Sequence, residues 1–366
     1  MYELQTGKNK SIYILMLIIV LVAFFTILAY TLFIDSHEYK YSQNIVATQI
    51  KHEEESTELE TILENTTESI VGISKIKDIG TTIFLEKSTE HLNLGTGVII
   101  SKEGYILTNQ HVAGSQYSTC YITLKNGVTD NGVVWASEDL DLAIIKINIK
   151  NLPEANLGNS DNIKIGTSVY AIGNPVGYEL QRTVTSGIIS GTNRIITTED
   201  DNTKSYLEGL IQTDATINQG NSGGPLINKN GEIIGITTLK IEDAEGIGFA
   251  IPINIVKPIL KKLVETGKFE EPYLGISGYD KEVIPYLSSN INFEEGIYIE
   301  EIDPQGPLKN SGIQTGDIIE KIDDTKIESM NKLKEYIYTK NIGDEVTIQI
   351  KRNNKEILIK ANLAKM

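Results

Sequence analysis

The chain has 366 residues, 40% of them apolar, and a formal net charge of −16. That length allows two folded domains with further segments, and that charge excludes a nucleic-acid binder, whose footprint would be basic. A single cysteine, Cys120, excludes an internal disulfide and a cysteine-based metal site, and its neighbours Tyr121-Ile122-Thr123-Leu124 mark it as a small core residue.

Residues 12–34 form a run of 23 positions without a charge. As a helix rising 1.5 Å per residue, the run covers about 34 Å, enough to span the hydrocarbon core of a bilayer. Lys8 and Lys10 precede it, and Asp35, His37 and Glu38 follow. By the positive-inside tendency, residues 1–11 stay in the cytoplasm and everything after residue 34 is exported. A cleaved signal peptide is the alternative, but the run exceeds a signal core and no small-x-small site follows it. Residues 35–65 are polar, centred on Lys51-His52-Glu53-Glu54-Glu55, and read as a partly helical stalk.

From residue 66 to 268 the pattern is one of short β-rich runs punctuated by Gly, Asn and Asp. Strands are expected at Ile70–Ile73, at Gly95–Ile100 and Tyr105–Thr108 as a hairpin, and at Val133–Trp135, Leu142–Ile147 and Ser168–Ile172. More follow at Val184–Ser190, Ile211–Thr213, Pro225–Ile227 and Ile233–Thr238, with residues 195–207 expected as a polar loop. Frequent Gly with scarce Trp and Phe suits an all-β barrel or sandwich of this kind. One helix is expected near Ile255–Val264, stopped by Gly267. After Glu270-Glu271-Pro272, residues 271–366 form a second unit. Its strands are expected at Leu274–Ile276, Gly296–Ile302, Asp317–Ile322, Val346–Lys351 and Ile357–Ala361, with a helix at Met330–Tyr338.

The sharpest chemical signal is Gly220-Asn221-Ser222-Gly223-Gly224-Pro225. A serine hydroxyl is a poor nucleophile unless a base takes its proton, and it needs donors aimed at the developing oxyanion. Glycines around Ser222 let amide N–H groups converge, with Gly220 and Ser222 as the donors and Asn221 adding its own. Of the four histidines, His37 and His52 lie in the stalk and His91 in a polar stretch, whereas His111 directly follows a strand. Asp141, at the mouth of the strand Leu142-Ala143-Ile144-Ile145, is the carboxylate that would orient the imidazole, with Asp139 as its rival. The order His, Asp, Ser is that of the two-barrel chymotrypsin-like architecture. Thr216, six residues before Ser222, is not acidic, so Thr216, Ile217 and Asn218 predict a small apolar pocket that takes Val, Ala or Ile before the scissile bond.

Thr108-Asn109-Gln110-His111-Val112, Asp141-Leu142-Ala143 and Thr213-Asp214-Ala215 through Gly220-Asn221-Ser222-Gly223-Gly224-Pro225-Leu226 resemble the HtrA/Deg family of serine proteases. Ala171-Ile172-Gly173-Asn174-Pro175, Thr183–Ile188 and Gly248-Phe249-Ala250-Ile251-Pro252 fit the same family in the same order. Gln110 and Gln219 depart from it without removing a chemical group. Pro272-Tyr273-Leu274-Gly275-Ile276 resembles the carboxylate-binding loop of PDZ domains, where Tyr273, Leu274, Gly275 and Ile276 would cradle a peptide C-terminus beside a sheet edge. The resemblance implies a mainly β, chymotrypsin-like protease domain followed by an α+β PDZ domain. It implies a membrane-anchored endopeptidase acting on misfolded exported proteins, with activating loops at Gly177–Arg182 and Gly235–Gly246. It also implies assembly into trimers or larger homo-oligomers and PDZ binding of hydrophobic C-terminal peptides. No metal, no nucleotide and no other cofactor is expected, since neither ligand spacing nor a phosphate loop is present. A catalytically weak adaptor for unfolded chains and a silent PDZ scaffold are the competing readings.

Overall fold

The computed structural model describes residues 4–76, 92–124, 127–174, 182–200, 203–218, 220–240, 245–287 and 291–365. His91, the expected loop 177–181, residue 219 and residues 241–244 lie outside these. The chain begins with one long helix, α1 (Leu4–Thr67), of 64 residues. The expected stalk is therefore helical throughout rather than in part. Within α1, Tyr13–Ile34 is long and apolar enough to cross a membrane, and its large side chains are all exposed.

Twelve strands follow and close into two six-stranded antiparallel barrels. The first is built from β1 (Ile70–Ile76), β2 (Leu92–Ser101), β3 (Tyr105–Thr108), β4 (Thr119–Leu124), β5 (Gly127–Ser137) and β6 (Leu142–Lys146), in the order β1-β2-β3-β6-β5-β4. The second takes β7 (Ser168–Gly173), β8 (Thr183–Asp200), β9 (Thr203–Thr213), β10 (Pro225–Asn228), β11 (Ile233–Lys240) and β12 (Gly248–Pro252), in the order β10-β11-β12-β9-β8-β7. Side chains alternate across each strand, and here both faces are covered. Ile99, Ile106, Ala143 and Ile145 fill the first barrel, while their neighbours Val98, Ile100, Leu107, Leu142 and Ile144 join a separate cluster that includes Ile227, Ile236 and Phe249 of the second. Burial on both faces explains the unbroken apolar run at Leu142–Ile145. Cys120 is fully buried in the first barrel's core, as its neighbours predict.

Residues 195–207 are not a loop. β8 runs to Asp200 and β9 begins at Thr203, so most of that polar stretch is a long antiparallel hairpin held by cross-strand pairing. A one-turn helix, α2 (Gln110–Ala113), follows β3, and α3 (Val256–Thr266) closes the second barrel. Gly267 ends α3 at φ +76°, its N–H reaching the Leu263 carbonyl at 2.9 Å, the left-handed cap that the sequence predicts.

The C-terminal domain has β13 (Pro272–Tyr273), β14 (Ile276–Asp280), β15 (Ile297–Ile302), β16 (Ile318–Ile322), β17 (Thr325–Lys326), α4 (Met330–Thr339), β18 (Glu345–Arg352), β19 (Lys355–Asn362) and β20 (Ala364–Lys365). The main sheet runs β14-β15-β16-β18-β19, with β17 on β16, and β13 pairs with β20. Ser329 caps α4 through its side chain, which accepts the Lys332 N–H, and Leu333 and Ile337 bury the helix against the sheet. An edge-to-face chain of rings, Trp135–Phe269–Tyr338, with centroids 6.1 and 5.3 Å apart, ties this domain to the barrels.

Candidate active site

His111 and Asp141 reach the site from the same end of two neighbouring antiparallel strands, the last residue of β3, Thr108, pairing with Ala143 near the start of β6. β3 delivers His111 onto the single turn of α2, and a tight turn before β6 delivers Asp141 at φ +49°, its N–H bonded to the Glu138 carbonyl. The side chain of Asn109 fastens the two together, donating from Nδ2 to the Asp141 carbonyl at 2.9 Å. The imidazole Nδ1 lies 2.9 Å from both carboxylate oxygens of Asp141, and the His111 backbone N–H adds a bond of 3.1 Å to Oδ1. A carboxylate only accepts, so Nδ1 carries the hydrogen and Nε2 is left as the acceptor. Asp139, the rival carboxylate, instead lies on the surface with Lys334 Nζ 3.7 Å away.

The second barrel supplies the remaining groups. Thr238 Oγ1 donates to Asp141 Oδ2 at 2.5 Å, and the Thr238 carbonyl accepts from Ser222 Oγ at 2.9 Å. One residue of β11 thus holds the carboxylate and the serine hydroxyl together. Ser222 stands on a turn that β11 anchors: the Gly223 N–H donates to the Thr237 carbonyl at 2.8 Å, and Thr237 Oγ1 is shared between the carbonyls of Asn221 and Gly224. Gly220 at φ +98° and Gly223 at φ +83° take the left-handed conformations that this turn needs. Among the described residues, the N–H groups of Gly220 and Ser222 have no internal acceptor, as donors waiting for an anion would. Asn221 corrects the expectation for the third donor. Its N–H is committed to the Asn218 carbonyl at 2.9 Å and its Nδ2 to the Thr216 carbonyl at 3.2 Å, so it braces the turn instead.

Of the expected pocket residues, Thr216 and Asn218 are exposed, while Ile217 turns into the second barrel's core beside Gly248. In the C-terminal domain, Leu274 and Gly275 separate β13 from β14, where a single strand was expected. Gly275 takes φ +79°, its carbonyl accepts the Asp303 N–H at 2.9 Å, and Tyr273 hydrogen-bonds the Asp303 carboxylate at 3.2 Å. The N–H groups of Leu274 and Gly275 have no internal acceptor among the described residues. Leu274 is also buried in the domain core, so it serves packing as well. Ile276 opens β14, the terminal strand of its sheet, whose outer edge pairs with no strand among the described residues.

Three contributors escaped the sequence: Thr238, Asn109 and Thr96. Each lies inside a string singled out above, but its role depends on partners 97, 32 and 124 positions away. A threonine between two glycines, as at Gly95-Thr96-Gly97, is the one sequence signal that could have flagged a tight approach.

Comparison with known proteins agrees with this geometry. Residues 95–236 match the family model of the trypsin-like peptidase domain, and residues 272–363 match that of the PDZ domain. The chain is 36% identical over 333 residues to the serine protease Do-like HtrA of Bacillus subtilis, covering 85% of this chain and 73% of that protein. It is 38% identical over 273 residues to the serine endoprotease DegS of Haemophilus influenzae, covering 73% and 76%. Among solved structures, the HtrA-type protease AlgW with a tripeptide superposes with a TM-score of 0.61 at 30% identity, covering 84% of this chain and 97% of that one. With 36% identity to such a relative over 85% of its own length, and with a trypsin-like peptidase domain followed by a PDZ domain, the chain belongs to the HtrA family of serine proteases.

Proposed function

We propose that the protein is a membrane-anchored endopeptidase that cuts misfolded exported proteins with Ser222 as nucleophile, His111 as base and Asp141 as the carboxylate that orients it. The observation that carries this reading is the pair of 2.9 Å contacts between the His111 ring and Asp141, with Ser222 held on the same threonine that binds the carboxylate. Ser222 Oγ rests on the Thr238 carbonyl. For attack it rotates onto Nε2, which takes its proton and later returns it to the leaving amine. The tetrahedral oxyanion is met by the N–H groups of Gly220 and Ser222.

Thr216 places no charge in the expected pocket, which supports cleavage after small aliphatic residues. The open edge of β14 beside the free N–H groups of Leu274 and Gly275 supports capture of a hydrophobic C-terminus as an added strand, for delivery of substrate or for control of the protease. The apolar, exposed helix Tyr13–Ile34 supports a single-pass anchor with the barrels outside the cytoplasm. Assembly as a trimer or larger homo-oligomer belongs to the same reading. Casein hydrolysis by the full chain, set against Ser222→Ala, is the test. Loss of turnover in the variant, with loss of fluorophosphonate labelling, is expected. Equal turnover by both would return the chain to the adaptor and scaffold readings.

A further inference from the structure

Thr96 belongs to β2 of the first barrel, yet it is bonded to the turn that carries Ser222 in the second. It is fully buried and makes four hydrogen bonds. Its backbone N–H donates to the Ser222 carbonyl at 2.9 Å, and its carbonyl accepts Thr108 Oγ1 at 2.7 Å. Its hydroxyl donates to the Gly220 carbonyl at 2.5 Å and accepts the Asn174 N–H at 2.9 Å. The direction of the hydroxyl bond is not a choice. An amide N–H can only donate, so the Asn174 contact uses an oxygen lone pair and the single hydroxyl hydrogen is left for Gly220.

The consequence lies in the backbone. Gly220 at φ +98° has no side chain to fix its peptide planes, and glycine rotates more freely than any other residue. The Thr96 hydroxyl pins the carbonyl of Gly220 at 2.5 Å, with the Asn174 N–H a longer second donor to it at 3.4 Å, and the Thr96 N–H pins the carbonyl of Ser222. These carbonyls belong to the Gly220–Asn221 and Ser222–Gly223 peptides, so the first of them is held between the peptide that carries the Gly220 N–H and the peptide that carries the Ser222 N–H, and the latter is held on both sides. Asn174 extends the connection: its Oδ1 accepts the Arg182 N–H at 2.7 Å, so its side chain joins positions 174 and 182 while its backbone rests on the Thr96 hydroxyl.

We infer that Thr96 is the positioning residue of the oxyanion turn, its hydroxyl fixing the Gly220–Asn221 peptide, the link between the two peptides that carry the Gly220 and Ser222 N–H groups, so that those N–H groups converge on the developing oxyanion. It touches no reacting atom and acts through Gly220. The inference rests on the Ser222 reading above, and the test separates the two.

Hydrolysis of a fluorogenic peptide with Val before the scissile bond is measured for the full chain carrying Thr96→Val, Thr96→Ser or Ser222→Ala. Binding of a peptidyl boronic acid, which mimics the tetrahedral adduct, is measured in parallel. Thr96→Val lowers kcat at least about tenfold with KM held within about twofold, and weakens the boronate in step. The midpoint of the pH–rate profile stays in place, because none of Thr96's hydrogen bonds involves His111 or Asp141. Thr96→Ser, which keeps the hydroxyl, restores kcat to within about threefold of the parent. A parental kcat in Thr96→Val, an equal loss in the valine and serine variants, or a change confined to KM overturns the inference. If Thr96→Val does not fold, Thr96→Cys replaces it: a kcat below that of Thr96→Ser, following the weaker donor, supports the inference, and equality with Thr96→Ser overturns it. Undiminished hydrolysis by Ser222→Ala would overturn the nucleophile assignment itself.

Discussion

His111 meets three constraints at once: its ring nitrogen faces two oxygens of Asp141, its backbone N–H bonds one of them, and Thr238 holds the other. A single substitution can therefore test the tautomer without disturbing the shape. Asp141→Asn keeps the volume but lets an amide hydrogen face Nδ1, which favours the tautomer with Nε2 protonated and removes the base. A fall in kcat of about 10⁴ is expected, the size that substitution has in the serine-protease template. Asp139→Asn, at an exposed position that forms a surface ion pair with Lys334, is expected to leave kcat within about twofold. Steady-state kinetics on the two variants decide between the carboxylates, and a larger loss at Asp139 would reverse the assignment. Thr238→Val removes the bond to Asp141 Oδ2 but keeps the carbonyl on which Ser222 rests. A tenfold loss of kcat/KM is about 1.4 kcal/mol, the lower end of what one hydrogen bond to a charged group contributes, and is the least loss expected here. An unchanged kcat/KM would show that the His111 N–H on the carboxylate, with Asn109 on the Asp141 backbone carbonyl, suffices to hold the carboxylate.

The Ser222 turn is where an element's backbone, rather than any side chain, limits substitution. A Cβ on Gly223 would strike Thr108 Oγ1 and the Thr96 carbonyl, and its φ of +83° is already left-handed. Gly166 takes a similar φ of +87°, but nothing lies within 4 Å of a Cβ built there. Gly166→Ala therefore carries the conformational cost alone, about 1 kcal/mol, whereas Gly223→Ala adds a clash with two bonded oxygens, a further 1–3 kcal/mol or so. Chemical denaturation of the two variants should show that gap, and equal midpoints would mean that the turn relaxes freely. The strands around this turn were legible because both faces of a closed barrel are buried, as at Leu142–Ile145, and the turn itself because glycines cluster there. The outer part of the β8–β9 hairpin, within residues 195–207, was not, since its polar residues are held by cross-strand pairing that leaves no apolar signature. Thr238 and Thr96 were invisible for a different reason: a hydroxyl becomes a site residue only when a chain segment about a hundred positions away arrives beside it.

At the scale of the whole molecule, the PDZ domain rests on the protease through polar groups that burial makes sensitive to pH. Glu208 on β9 and Asp280 at the end of β14 are the centre of this contact. Each has a buried carboxylate oxygen with no hydrogen-bond partner among the described residues. The Asp280 backbone N–H bonds the Glu208 carboxylate, Asp280 Oδ1 accepts the Met330 N–H at the start of α4, and Asn331 Nδ2 donates to the Glu208 carbonyl at 3.1 Å. Burial, then the neighbouring Asp280 charge, pushes Glu208 up to about 8. Burial pushes Asp280 to about 7. Lys334 opposes the shift at Glu208 and Glu282 adds to both. With both values raised, the docked state holds more protons than the undocked one. Docking is then strongest below the ordinary carboxylate range near pH 4 and weakens as pH rises, through about 7 and 8, by at most about 1.4 kcal/mol per pH unit for each proton. Amide exchange at the first turn of α4, corrected for its intrinsic pH dependence, should lose protection by more than about tenfold between pH 6 and pH 8.5. Glu208→Gln, which cannot ionise, should reduce that loss severalfold while leaving protection in the first barrel unchanged. Because α4 and β14 also flank the open edge proposed to take a peptide, the same variant should flatten the pH dependence of peptide binding. Protection that stays flat from pH 6 to 8.5 in the parent would mean that neither carboxylate gains a proton on docking and that the domains are held by contacts that do not titrate there, such as the Trp135–Phe269–Tyr338 rings and the Asn331 bond to the Glu208 carbonyl.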